Sequence, residues 1–422
     1  MHMKSRLDAW IWRVIILLLI SSSSNVLAQR GRLARGSLTS DALKTNLLGD
    51  GPTRSYAIYL PPSYDTTTLR YPIIFVLHGY TDNENGLIST MQTTLDTQIA
   101  QRKIGELIAV FVNGSNRLKG SFYLNSEAIG DYETYIVTDL VNLIDSNYRS
   151  IAASSSRGIT GYSMGGWGAM HLALKYPSVF SVVVSEAGVY DSRSTWADGL
   201  ARQLVTAHPS TLAQFDALTF PLDAMQALFA GLIANPARPS LFSDYPYDLI
   251  SGQLTLNASA HQRCLDRDVQ NGDLPRYVAQ PIKLNGIKVV HGTSDSVVPI
   301  SLARSFTNAL TAAAVPFSYE QHTGDHIYRA DLALPYLATN LLGGQKYIAP
   351  PRMAAAFMTN HTAITFPTQT GVTYNVYSSP QLEIPFVNWT KSESIDGNGQ
   401  AAKVTIPIDA GPLFVRLTGR NN

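Results

Sequence analysis

The chain has 422 residues, with 32 basic and 31 acidic side chains and a net charge of +1. Hydrophobic residues make up 45% and charged residues only 15%, which excludes a disordered chain and provides for a large core, usually divided between two domains at this length. Balanced charge argues against a nucleic-acid partner, and the single cysteine, Cys264, excludes an internal disulfide or a cysteine-cluster metal site.

In chain order, Lys4, Arg6 and Arg13 come first, before an apolar run over residues 14–20. Val26-Leu27-Ala28 then places small residues where a signal peptidase needs them. Residues 1–28 are therefore expected to be a signal peptide, with a secreted or periplasmic protein beginning at Gln29. The run is shorter than the roughly 20 apolar residues of a transmembrane helix, so no stable membrane insertion is expected after its removal.

Residues 29–343 read as one α/β domain. Short apolar runs lie at 56–60, 73–77, 107–112, 181–185 and 287–291. Several are apolar almost throughout, as in strands of a parallel sheet buried on both faces. Helical patterns occupy 135–148 and 165–176, the second stopped by Pro177. This alternation predicts a mostly parallel sheet with helices on both faces. Gly343-Gly344 and Pro350-Pro351 mark a linker over 344–352. Beyond it the helical signals stop. Runs at 372–376, 404–408 and 413–417, with an Asp396-Gly397-Asn398-Gly399 turn, predict a small β-sandwich over 353–422.

Gly161-Tyr162-Ser163-Met164-Gly165 lies between a β-type run, 158–160, and a helix. That is the setting of a nucleophile elbow, a tight turn that needs small residues on both sides of the serine. Ser163 is the expected nucleophile. It needs a base, and the base an orienting acid, in the chain order Ser, Asp, His. Asp295 follows the run that ends at His291, where a strand end would present a carboxylate. His326 follows a Gly324-Asp325 turn and is the expected base, with His322 its competitor. Gly324 between the two histidines breaks the helix that a metal pair would need, so no metal is expected. Two backbone amides should hold the oxyanion, that of Met164 at the helix start and that of Tyr80 after His78-Gly79. His78 itself reads as structural.

Several motifs in one order carry a resemblance: Tyr59-Leu60-Pro61-Pro62-Ser63-Tyr64, Tyr71-Pro72 running into His78-Gly79, residues 120–126, Tyr148-Arg149, and residues 161–169 with Tyr176-Pro177. From about Gly36 to Gly343 the chain resembles the α/β-hydrolase esterases that include feruloyl esterases, S-formylglutathione hydrolases (esterase D) and antigen 85 mycolyltransferases. The resemblance implies a Ser163, Asp295, His326 triad, oxyanion donors on Tyr80 and Met164, and no cofactor. It implies as substrate a small-molecule or polysaccharide ester, such as feruloyl or acetyl groups on plant polysaccharides. Residues 191–287 carry Trp196, Phe215, Phe220, Phe229, Phe242, Tyr245 and Tyr247, suited to a lid with an acyl pocket or to the core of a cap. An acyltransferase or peptidase with the same triad, and a non-catalytic polysaccharide-binding protein, are the other readings open to the residues.

Overall fold

The computed structural model describes residues 30–341 and, beyond them, 354–357, 361–368, 372–379, 390–398, 400–407 and 414–421. The expected signal peptide and linker lie outside the described residues.

Eight strands form one sheet: β1 (Arg32–Thr39), β2 (Thr53–Leu60), β3 (Ile73–Leu77), β4 (Ile108–Val112), β5 (Arg157–Tyr162), β6 (Val182–Glu186), β7 (Gly286–Gly292) and β8 (Ser318–His322). Their order is β1-β2-β4-β3-β5-β6-β7-β8. Only β2 runs against the rest: it pairs antiparallel with β1 and β4, and every later pairing is parallel. This is the mostly parallel sheet with helices on both faces that the sequence predicts.

The strands at 56–60, 73–77, 107–112, 181–185 and 287–291 fall within β2, β3, β4, β6 and β7, with ends moved by a residue or a few. Their apolar runs bury both faces. Phe75, Val110, Ile159, Val183 and Val289 pack on one side, with α2 (Val141–Asn147), α3 (Met164–Lys175) and α6 (Ile300–Ala312). Ile74, Val76, Phe111, Val184 and Val290 pack on the other, with α1 (Ile88–Ala100) and α7 (Ala330–Asn340). Alternate residues therefore serve opposite layers, the strand period of two. The helical pattern at 135–148 is a π-helical turn at 135–140 followed by α2. Between β6 and β7 the chain makes a helical cap that includes α4 (Thr195–Ala207) and α5 (Leu222–Leu232).

Among the described residues of the tail, six strands form two three-stranded sheets. Ala354–Phe357, His361–Pro367 and Ala401–Pro407 make one; Thr390–Asp396, Val372–Ser379 and Phe414–Asn421 make the other. Ile364, Phe366, Val404 and Ile406 from the first cluster with Tyr374 and Val376 from the second, so the sheets share one small core, as a sandwich requires. Among the described residues no helix is long and apolar enough to cross a membrane.

Candidate active site

β3, β5, β7 and β8 all end at the same edge of the sheet, because they run in parallel. Each of the singled-out residues follows one of those ends. Tyr80 follows β3, Ser163 follows β5, Asp295 follows β7 and His326 follows β8.

Ser163 has φ 56° and ψ −122°, a conformation that L-residues seldom adopt, and it is followed directly by α3. The turn is fixed by a hydrogen bond from the Ser163 amide to the Glu186 carbonyl, 2.9 Å. A Cβ at position 161 would lie 2.5 Å from the Gly165 carbonyl oxygen and 2.7 Å from that of Leu77, and one at 165 would strike the Leu77 carbonyl. Glycine is required at both places by close backbone approach.

His326 Nδ1 lies 2.8 Å from Asp295 Oδ2. The Asp295 side chain is fully buried, and its Oδ1 accepts hydrogen bonds from the amides of Val297 (2.9 Å) and Val298 (2.8 Å). Burial alone would push this carboxyl up. Hydrogen bonds from His291, His326 and the two amides outweigh burial and hold it well below the usual carboxylate range. The His326 ring lies 5.6 Å from that of Tyr162, the residue before Ser163. Among the described residues its Nε2 has no protein hydrogen-bond partner. An imidazole held at Nδ1 by a carboxylate keeps Nε2 free to take a proton from a hydroxyl.

His322 does not reach Asp295. Its Nδ1 accepts the Gly324 amide at 3.0 Å. His78 is buried and bonded at both nitrogens, Nδ1 to the Gly79 carbonyl (2.7 Å) and Nε2 accepting the Gly114 amide (2.9 Å); burial pushes its imidazole down. It pins the 113–120 loop against the end of β3. Cys264 is buried, its thiol pushed up to about 12 by burial.

Tyr80, Ser163 and Met164 line one cavity with Phe122, Trp167 and Trp196, and its remaining walls, including Phe220 and Val298, are apolar. The amides of Tyr80 and Met164 donate to no group among the described residues. The second stands at the positive end of α3. Of the cap aromatics, Trp196 and Phe220 face the cavity, whereas Phe215 and Phe229 are buried in the core.

Two residues join this site that the motifs did not indicate. His291, fully buried on β7, sets Nε2 3.3 Å from Asp295 Oδ2 and 2.8 Å from the Val298 carbonyl. Asp325 accepts the amides of Ser296 (2.7 Å) and His326 (2.8 Å), tying the loop of Asp295 to that of His326. A histidine four residues before Asp295 was the available signal for the first.

Residues 51–222 match the family described as putative esterase. The matched segment holds Tyr80, Ser163 and Met164 and stops before Asp295 and His326. YbbA, an uncharacterized protein of Bacillus subtilis, is 28% identical over 178 residues, 40% of this chain and 66% of its own length. An esterase of Mycobacterium tuberculosis is 29% identical over 150 residues, 34% of this chain and 31% of its own. An endo-1,4-beta-xylanase/feruloyl esterase of Xylanibacter ruminicola is 28% identical over 138 residues, 31% and 19% respectively. The chain thus spans just under two thirds of the first relative and under a third of the other two.

Proposed function

We propose that the chain is a secreted serine carboxylic-ester hydrolase. The observation that carries this reading is the strained Ser163 turn at a helix start, opening on an apolar cavity, at the sheet edge that also bears the His326–Asp295 pair. Ser163 Oγ attacks the ester carbonyl while His326 Nε2 takes its proton. Asp295 holds the imidazolium formed, and the Tyr80 and Met164 amides receive the oxyanion. Collapse expels the alcohol, which takes the proton from His326, and leaves an acyl group on Ser163. Water, deprotonated by His326, then releases the acid and restores the serine. These steps require no metal ion or organic cofactor.

The apolar cavity with its aromatic walls suits an aryl or alkyl acyl group. Together with the feruloyl esterase named among the relatives, this supports feruloyl or acetyl esters of plant polysaccharides as substrates. The pattern at residues 4–28 supports export, and the exported protein should then begin at Gln29. Residues 353–422 are read as an appended β-module.

A panel of p-nitrophenyl esters and p-nitroanilides tests the assignment. Esters should turn over, feruloyl and acetyl among them, and anilides should not. Ester turnover that survives Ser163→Ala would sink it.

A further inference from the structure

Glu186 is the last residue of β6, beside Tyr162 in the sheet register and 1% exposed. It makes two contacts that join separate segments. Its carbonyl accepts the Ser163 amide at 2.9 Å. Its side-chain Oε2 accepts the Arg329 amide at 2.7 Å. Arg329 caps α7 and lies three residues after His326. We propose that Glu186 is a positioning residue, tethering the Ser163 turn with its backbone and the loop that carries His326 with its side chain, so that the two are held in one register. This rests on the ester-hydrolase reading for its kinetic consequence, though not for its structural one.

The surroundings decide the charge of this side chain. Lys288, from β7, is paired with Glu320 at 2.6 Å, and the Arg329 guanidinium is paired with Asp331 at 2.7 Å. Tyr328 and Tyr190 are the other titratable groups facing it. Every nearby cation is thus already engaged by another carboxylate, and Glu186 Oε1 has no partner among the described residues. Burial pushes the carboxyl up to about 8, so at neutral pH it is a neutral acceptor. Above that pH a charge would have to sit in this pocket: the Arg329 amide favours it, but burial opposes it more strongly, so the pocket should open to water and take the loop that carries His326 with it. An alkaline fall in activity is the expected consequence.

The test compares wild type, Glu186→Gln and Glu186→Leu from pH 5 to 10. Turnover of p-nitrophenyl acetate is divided by the number of sites that a fluorophosphonate labels. Glutamine keeps the acceptor without the ionisation. It should hold kcat within about threefold of wild type at pH 6.5 and lose the wild-type fall between about pH 7.5 and 9. Leucine should lower kcat at least tenfold with KM within twofold. A leucine variant within twofold of wild type throughout, or a glutamine variant with the same alkaline fall, would overturn the proposal. Thermal unfolding gives a readout that needs no turnover. A folded-state carboxyl raised above its ordinary value contributes stability that is complete below that ordinary value and lost as pH rises through about 8. The Tm of wild type minus that of Glu186→Gln should therefore decline from pH 5 and level off above about 9. A flat difference would overturn the Glu186 assignment alone, and absent ester turnover in wild type would overturn the enzymatic reading instead.

Discussion

Among the described residues, two histidines set Nδ1 against an aspartate with nearly the same geometry in two different places. At the sheet edge, His326 Nδ1 meets Asp295 at 2.8 Å; in the interior, His171 Nδ1 on α3 meets Asp273 at 2.6 Å. They differ at the other ring nitrogen. His326 Nε2 is free of protein partners among the described residues, and the side chain keeps 14% exposure. His171 Nε2 lies 3.3 Å from Glu133, which also holds Lys175, and the ring is stacked on Trp167 at 4.9 Å. Burial would push the His171 imidazole down, but Asp273 and Glu133 outweigh it and raise it to about 9. That ring is a buried cation with no site left for a proton. A carboxylate at one nitrogen therefore does not make a base. What the second nitrogen faces separates the pair proposed to act on a hydroxyl from the pair buried in the core.

The comparison is broken or sharpened by substitution on each side. Ser163→Ala and His326→Ala should each lower kcat/KM by about 10⁴ or more, measured by ester turnover on folded protein. His171→Leu should instead leave turnover per labelled site within about threefold while costing about 3–5 kcal/mol of stability in urea unfolding, because Asp273 and Glu133 lose a buried counter-charge. Equal kinetic losses in His171→Leu and His326→Ala would erase the distinction.

pH separates the pairs more finely. A histidine raised from its ordinary 6.5 to about 9 contributes stability that is complete below about 6.5 and lost as pH rises through about 9. The stability gap between wild type and His171→Leu should accordingly narrow over that window, and a gap that widens would contradict the buried cation. His322→Ala is the smallest change expected. Its ring only accepts the Gly324 amide, so kcat should stay within about twofold.

How much of this was legible in sequence depended on whether the cause was local. Central strands declared themselves as continuous apolar runs because both their faces are covered. β1 did not: Arg32–Thr39 is an edge strand, largely exposed and paired in the sheet, among the described residues, with β2 alone, so no apolar run marks it. The Ser163 turn was legible because its glycines are required by contacts within a few residues and one neighbouring strand. Of the two candidate histidines, His326 makes the contact to Asp295 and His322 accepts the Gly324 amide. The roles of Glu186 and His171 were hidden, whereas His291 stands four residues before its partner Asp295. Glu186 meets a loop 143 positions away, and His171 depends on Asp273, 102 positions on. Nothing near them in the chain reveals that they are buried or what they face.

The central claim is that one serine, activated by His326 and not by its buried counterpart, carries the chemistry. Fluorophosphonate labelling followed by peptide mapping tests it most directly. The account predicts a single adduct on Ser163, formed at the wild-type rate in His171→Leu and at least 100-fold more slowly in His326→Ala. An adduct on another residue, or labelling of Ser163 that is indifferent to His326, would contradict it.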